Sequence, residues 1–435
     1  MASISAIRLL QAALCCGLLL FGTLVRAEDP RTVILSAEDL DLDAASAALS
    51  LMRWSAAEAA FEPLPFQIDP LDSVDMVWFA DADQQRDAGG ERFRGRDQLL
   101  FRALDAGPLA PQHAQPDVGK VLREIRLGEP AQAVYVVQDN PRRSAQRYIE
   151  HDLAQGVTRT ASYELRVNPA NELDWRYLGF YSYRGEGSII DTLKMRMAAG
   201  FLNRHARMTL DNDNLRPRQV ANKVGPIRSV MHLETKVVLA GIPVMRLQMQ
   251  AHRYADHYEA HSYAVIPRLY KGSLRAPEVQ VTIDGNAQYG ARVQTARGGT
   301  LVSTVNGHGD VAGAELVERG LSTDESWILF DSQKDFILLA QLAMPPSLQG
   351  IPLALVYEDD EDKAMAPEQF QGQLPNLGYS LQGWPPSREL RFAVQLLFDQ
   401  SLHGMAPNAY AQWRGGQPSL SVRYWTDGDS LDPGA

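Results

Sequence analysis

The sequence predicts a mainly β protein, built of tandem antiparallel β-sandwich domains with one short N-terminal helix. Three observations carry this. Apolar residues recur at every second position through many short segments, the period of a half-buried strand. Turn groups rich in Gly, Pro and Asn separate those segments. A single stretch, 42–61, has the alanine-rich, Gly- and Pro-free composition of a helix.

Residues 1–27 read as a signal peptide. Arg8 precedes an apolar run at 9–22, and Val25 and Ala27 occupy the small-residue positions of a cleavage site. The run is about 14 residues, short of the roughly 20 that span a bilayer. Leu14 and Cys15 precede the two cysteines where a lipid-attachment site would want a small residue, so secretion without lipidation is expected. The mature chain is then periplasmic or extracellular, with no integral membrane segment. Cleavage removes Cys15 and Cys16, the chain's two cysteines, and takes the formal charge from −11 to −13 by loss of Arg8 and Arg26. A cysteine-free chain excludes disulfides, thiol catalysis, thiolate zinc sites, iron–sulfur clusters and c-type haem. Its acidity argues against nucleic acid, which calls for basic patches. No cofactor is expected.

The helix predicted over 42–61, LDAASAALSLMRWSAAEAAF, stops where Pro63 and Pro65 forbid continuation. It belongs to an N-terminal β-rich domain, 28–154, that also holds the strands LREIRLG (122–128) and AVYVV (133–137). A large antiparallel sandwich region follows over 155–425, and 426–435 form a polar, disordered tail. Within the large region SYELRV (162–167), LKMRM (193–197), VQVTIDG (279–285), SWILFD (326–331), ELRFAVQLLFD (389–399) and SLSVRYW (419–425) read as strands.

The stretch 227–266 reads as a three-stranded meander with turns at AGIP (240–243) and ADH (255–257). Pairing Leu239 with Val244 and Tyr254 with Tyr258 puts His232 beside Ala251 and Ala251 beside His261, all on one face. His252 then points to the other face and His257 lies in the loop, so the three histidines of HRYADHYEAH (252–261) diverge. A zinc site needs ligands converging within about 2.0–2.2 Å of one point, which this register forbids. His232, Glu234 and His261 remain as a ligand-binding candidate on one sheet face.

Other clusters offer chemistry more weakly. Asp81, Asp83, Gln85 and Asp87 alternate like a calcium loop, but Arg86 and Arg92 stand where glycine and a bidentate glutamate belong. Asp211 and Asp213, in LDNDNLRP (210–217), form an oxygen-rich turn and are the metal candidates. Trp175, Tyr177, Tyr181 and Tyr183 form an aromatic stretch whose flat ring faces suit stacking on sugars. No nucleophile-elbow, zincin, P-loop or dinucleotide motif stands in a supporting context. KVGPIRSVMH (223–232) is similar to the Gly-Pro-hydrophobic-Arg strand of large sugar-processing β-sandwiches, over ten residues that include no catalytic group. The expected function is a binding or structural component of the envelope, its partner a glycan, an envelope polymer or another protein. The alternatives are a carbohydrate-active hydrolase or lyase using paired carboxylates, and a calcium-stabilised scaffold.

Overall fold

The computed structural model describes residues 29–425, apart from 129, 204, 364–365 and 371–373. The predicted signal segment, 1–27, and the predicted tail, 426–435, lie outside the described residues. The fold is mainly β and antiparallel throughout, and each alternating segment named above forms a strand. No helix among the described residues is long and apolar enough to cross a membrane.

The N-terminal part packs a five-stranded sheet against a three-stranded one. The strands Thr32–Ser36, Gln98–Arg102 and Phe66–Asp69 make the smaller sheet. Val33, Leu35, Leu99 and Phe101 from it meet Leu49, Leu51, Ile125, Val134 and Val136 of the larger in one core. The opposite face of the larger sheet buries Met52, Phe61, Val121, Tyr135 and Val137, so its strands are apolar on both sides.

Here the predicted helix is corrected. Residues 42–61 carry a short 3₁₀ turn at Ser46–Ala48, then the strand Leu49–Ser55, a turn, and the strand Ala60–Pro63. The hairpin pairs Trp54 with Phe61 and Met52 with Pro63. Alanine favours helix by only a few tenths of a kcal/mol per residue. Burying Leu49, Leu51, Met52 and Phe61 into cores on both faces of a sheet outweighs that preference. Pro63 sits in the edge strand, where a missing N–H is tolerated.

The strand Leu420–Tyr424 also departs from its expected place at the end of the large region. It pairs with Lys120–Leu127, matching Leu420 to Leu127 and Val422 to Ile125, and so completes the N-terminal five-stranded sheet.

The large region faces a nine-stranded sheet with a five-stranded one around a single extensive core. In Glu389–Asp399, Leu390, Phe392, Val394, Leu396 and Phe398 all point into it, while Leu397 joins a separate cluster on the other face. A four-stranded sheet, Ile149–Asp152 through Asn171–Phe180, adds Tyr163, Leu165, Leu173 and Trp175 to the same core. The meander strands Arg228–Leu239, Ile242–Tyr254 and His257–Val265 lie in the nine-stranded sheet. Their outer face packs on the N-terminal part.

Candidate functional site

The meander forms as predicted, but in a different register. Ala240 and Gly241 both adopt positive φ, 48° and 82°, making a two-residue turn that pairs Leu239 with Ile242. A bulge between Val237 and Val238 then sets His232 opposite Gln250 rather than Ala251. At the second turn Arg253 faces Tyr258, which sets Gln250 opposite His261 and His252 opposite Glu259. Both junctions are one residue tighter than expected, and a one-residue slip exchanges the faces of a strand. His252 therefore lies on the same face as His232 and His261, and the histidines converge. Their rings confirm it: His252 and His261 lie 4.1 Å apart, and Tyr254 stacks on His257 at 3.9 Å.

The convergence is a hydrogen-bonded network. The side-chain amide of Gln250 is fixed by the backbone of Val77 in the N-terminal part: its Oε1 accepts from the Val77 N–H at 2.9 Å and its Nε2 donates to the Val77 carbonyl at 2.7 Å. That orientation dictates the histidine tautomers. His252 Nε2 must donate to Gln250 Oε1 at 3.0 Å, and His232 Nδ1 must accept from Gln250 Nε2, also at 3.0 Å. Burial keeps both imidazoles neutral, lowering His232 to about 4 despite Glu234, and His252 well below the usual range. His252 Nδ1 is left to face the Arg228 guanidinium at 3.3 Å. Arg228, 1 % exposed, also donates to Asp69 at 2.7 Å, to the Tyr254 hydroxyl at 2.7 Å and to Gln98 at 2.8 Å.

Glu259 is the centre of the cluster. It accepts from His261 Nε2 at 2.9 Å, from Tyr254 at 3.3 Å and from Gln395 at 2.8 Å. Burial pushes its carboxyl up, but His261, His257 and Gln395 together bring it down to about 2. His252, Glu259 and His261 bring their ligand atoms close enough to share a metal ion. The donor set suits zinc, yet the Arg228 cation bonded to the same His252 nitrogen opposes a dication there. The cluster reads as a structural clamp between the two parts of the chain.

From Glu259 the network runs outward to a cleft of about 690 Å³. His257 bonds Asp256 at 2.8 Å, and Asp256 pairs with Arg414 at 2.9 Å and Arg102 at 3.7 Å. Arg414 lies on the helix Pro407–Gly415 and reaches Asp399 at 3.7 Å. Asp399 in turn orients the half-exposed His403 at 2.9 Å and accepts from Tyr410 at 3.2 Å. Tyr181, 61 % exposed, and Trp413 supply aromatic surface to the same cleft.

Comparison with known proteins adds little to this geometry. No family profile and no curated relative matches the sequence. Among solved structures, an alpha-mannosidase from Enterococcus faecalis V583 is similar at a TM-score of 0.46 and 8 % identity, over 91 % of this chain and 43 % of that one. The Slr1438 protein from Synechocystis sp. PCC 6803 is similar at a TM-score of 0.31 and 10 % identity, over 60 % of this chain and 97 % of that one. Likeness at this level carries no argument about activity, which rests on the site.

The residues singled out in the sequence scatter around this site. Tyr181 lines the cleft. Trp175 is fully buried, edge-on to Tyr258 at 4.7 Å, and Tyr177 lies under the Arg166 guanidinium. Tyr183 packs near Phe336 and bonds Gln288. Glu234 shares the outer face with His232 but pairs with Arg218 at 2.6 Å. Asp211 caps the short turn Asn212–Asn214 by accepting from the Asp213 N–H, and neither acid belongs to a cluster of three or more potential ligands among the described residues. In the 81–97 loop, Arg86 makes a bidentate pair with Asp97, both bonds 2.7 Å. Asp399, His403, Trp413 and Arg414 are absent from the sequence candidates, while Asp256 and Glu259 stand in HRYADHYEAH, which the sequence reads as a turn between two strands. The one local signal was the four-residue spacing of Asp399 and His403.

Proposed function

We propose that this chain is a secreted, non-catalytic binding component of the cell envelope that holds an oligosaccharide-like ligand in the cleft beneath Tyr181 and Trp413. The observation that carries this reading is the pairing of aromatic surface with polar groups already fixed by one another. Ring faces stack on the apolar faces of sugars, and prearranged Arg414, Asp399 and His403 orient hydroxyls without an ordering cost at binding.

The same arrangement weighs against hydrolysis. Glycoside cleavage by two carboxyls needs one of them protonated at working pH. Burial favours protonating Asp256, but Arg414, Arg102 and the hydrogen bond from His257 overcome it and hold the carboxylate ionised far below its usual range. Asp256 is thus an anchor for two arginines and no general acid.

Calorimetric titration with a panel of envelope oligosaccharides tests the reading. Binding is expected without release of reducing ends, and Tyr181→Ala or Trp413→Ala weakens it about tenfold, the 1–2 kcal/mol of one stacked ring. Undiminished binding in both variants removes the cleft from the reading. Reducing ends that accumulate with the native protein and vanish in Asp399→Asn make it an enzyme.

A further inference from the structure

At one end of the large sandwich the two sheets part around a cavity of about 320 Å³. Its walls include Met197, Met208 and Val279 from the five-stranded sheet and Val244, Met245 and Leu390 from the nine-stranded one. All six are only half-buried, since they face open space inside the sandwich. Two smaller spaces lie beyond it. A second space, of about 30 Å³, shares Met195, Ser262 and Phe392 with it, and a third, of about 70 Å³, shares Leu193, Tyr258 and Val394 with the second. The three lie in series along the sandwich core, separated by the side chains they share, and their walls are almost wholly apolar. Empty apolar volume weakens a core, because the lining atoms lose contacts that packing would give them.

The mouth has the opposite character. The short helix Arg268–Ser273 crosses it, with Leu269 74 % and neighbouring Phe201 52 % exposed. Lys271 ties this helix to the Trp384 loop by donating to the carbonyls of Pro385 and Ser387, both at 2.8 Å. The segment PRLYKGSLRAP (267–277) carries Arg268, Lys271 and Arg275 and no acid; Glu278, the next residue, lines the cavity with its carboxylate paired to Arg207 at 3.0 Å. Arg268 and Arg275 are exposed, lie outside the cavity walls and enter no ion pair among the described residues; each is next in sequence to a lining residue, Leu269 and Leu274, and Arg275 donates to the carbonyls of Gly272 at 2.8 Å and Leu274 at 3.2 Å.

We propose that this series of spaces binds one long acyl chain, the shared side chains parting to admit its tail, with its anionic head group, a carboxylate or a phosphate, held outside the cavity by the basic segment that carries Arg268 and Arg275. The apolar walls and series of narrow spaces fit a single unbranched tail and offer no partners to a sugar. The two exposed rim residues present apolar surface for the tail's entry, and the two guanidiniums, in no ion pair, supply charge complementary to the head.

The test uses the full secreted chain and fluorescence of cis-parinaric acid. Saturable binding at one site per chain is expected, displaced by palmitate and by lysophosphatidylglycerol, and about tenfold or more poorly by octanoate, whose tail is too short to reach the inner spaces. Relative displacement by the two long-chain competitors separates a free fatty acid from a phosphate-headed lipid. Val279→Trp fills the first cavity and abolishes binding. Arg268→Glu with Arg275→Glu, both on the surface, weakens parinarate about tenfold while leaving hexadecanol unaffected. Absence of saturable binding in the native protein overturns the proposal. So does parinarate affinity that survives the double charge reversal, whether or not the Val279→Trp protein folds.

Discussion

Arg228 serves four polar groups at once, Asp69, Gln98, Tyr254 and His252, at a position 1 % exposed. Removing one member of such a buried set leaves the others desolvated. Arg228→Met is therefore expected to destabilise the fold by about 3–5 kcal/mol, read as a lowered denaturant midpoint. A loss below about 1 kcal/mol would show that water reaches the pair. The histidines set the pH dependence. His232 falls from 6.5 to about 4 in the folded chain and burial lowers His252 as well, so below 6.5 the unfolded chain binds more protons. Stability rises with pH there: acidification from 6.5 towards 4 removes about 1.4 kcal/mol per pH unit through His232, and His252 acts in the same direction. Glu259, brought from 4.5 to about 2, extends the loss below pH 4.5. Melting temperature against pH checks this, and His232→Gln, which still accepts from Gln250, should flatten the slope between 6.5 and 4. None of this was legible residue by residue. The composition of HRYADHYEAH showed the groups, but whether they meet depends on a register that two adjacent turns decide.

At the scale of elements, period-two alternation found the strands because sheet burial repeats every second residue, whatever the topology. Glu389–Asp399 shows why: five alternate side chains enter one core, and the pattern is visible without coordinates. The segment 42–61 failed for the converse reason. Its alanines expressed a weak local preference, while its few large residues, Leu49, Leu51, Met52 and Phe61, were claimed by partners distant in sequence. The first meander turn was misjudged because Ala240 is a poor residue for positive φ, so the Ala-Gly pair did not announce a two-residue turn. That mismatch is testable. Asn tolerates the left-handed region better than Ala, and Ala240→Asn is expected to stabilise by about 0.5–1 kcal/mol, raising the melting midpoint. A lowered midpoint would contradict the turn assigned here, and with it the alignment of His232, Gln250 and His261.

Across the whole molecule, the N-terminal part and the large sandwich meet through buried polar groups: Asp69 on Arg228, Val77 on Gln250, Arg102 on Asp256. Such contacts hold only while both sides are folded, so each part withdraws support from the other when it opens. Calorimetry at neutral pH is expected to show one unfolding transition, and two well-separated ones would refute that coupling. The sequence could suggest two parts but not their seam, since its members come from positions as far apart as 69 and 414. The last strand joins the same theme. Leu420–Tyr424 lies beside Lys120–Leu127, almost three hundred residues upstream. In a chain delivered from its N-terminus, the 120–127 edge waits with bare N–H and C=O groups until the final segment arrives. This edge is thus completed only after almost three hundred further residues have been made, and a chain cut short before Leu420 leaves an adhesive margin on that sheet.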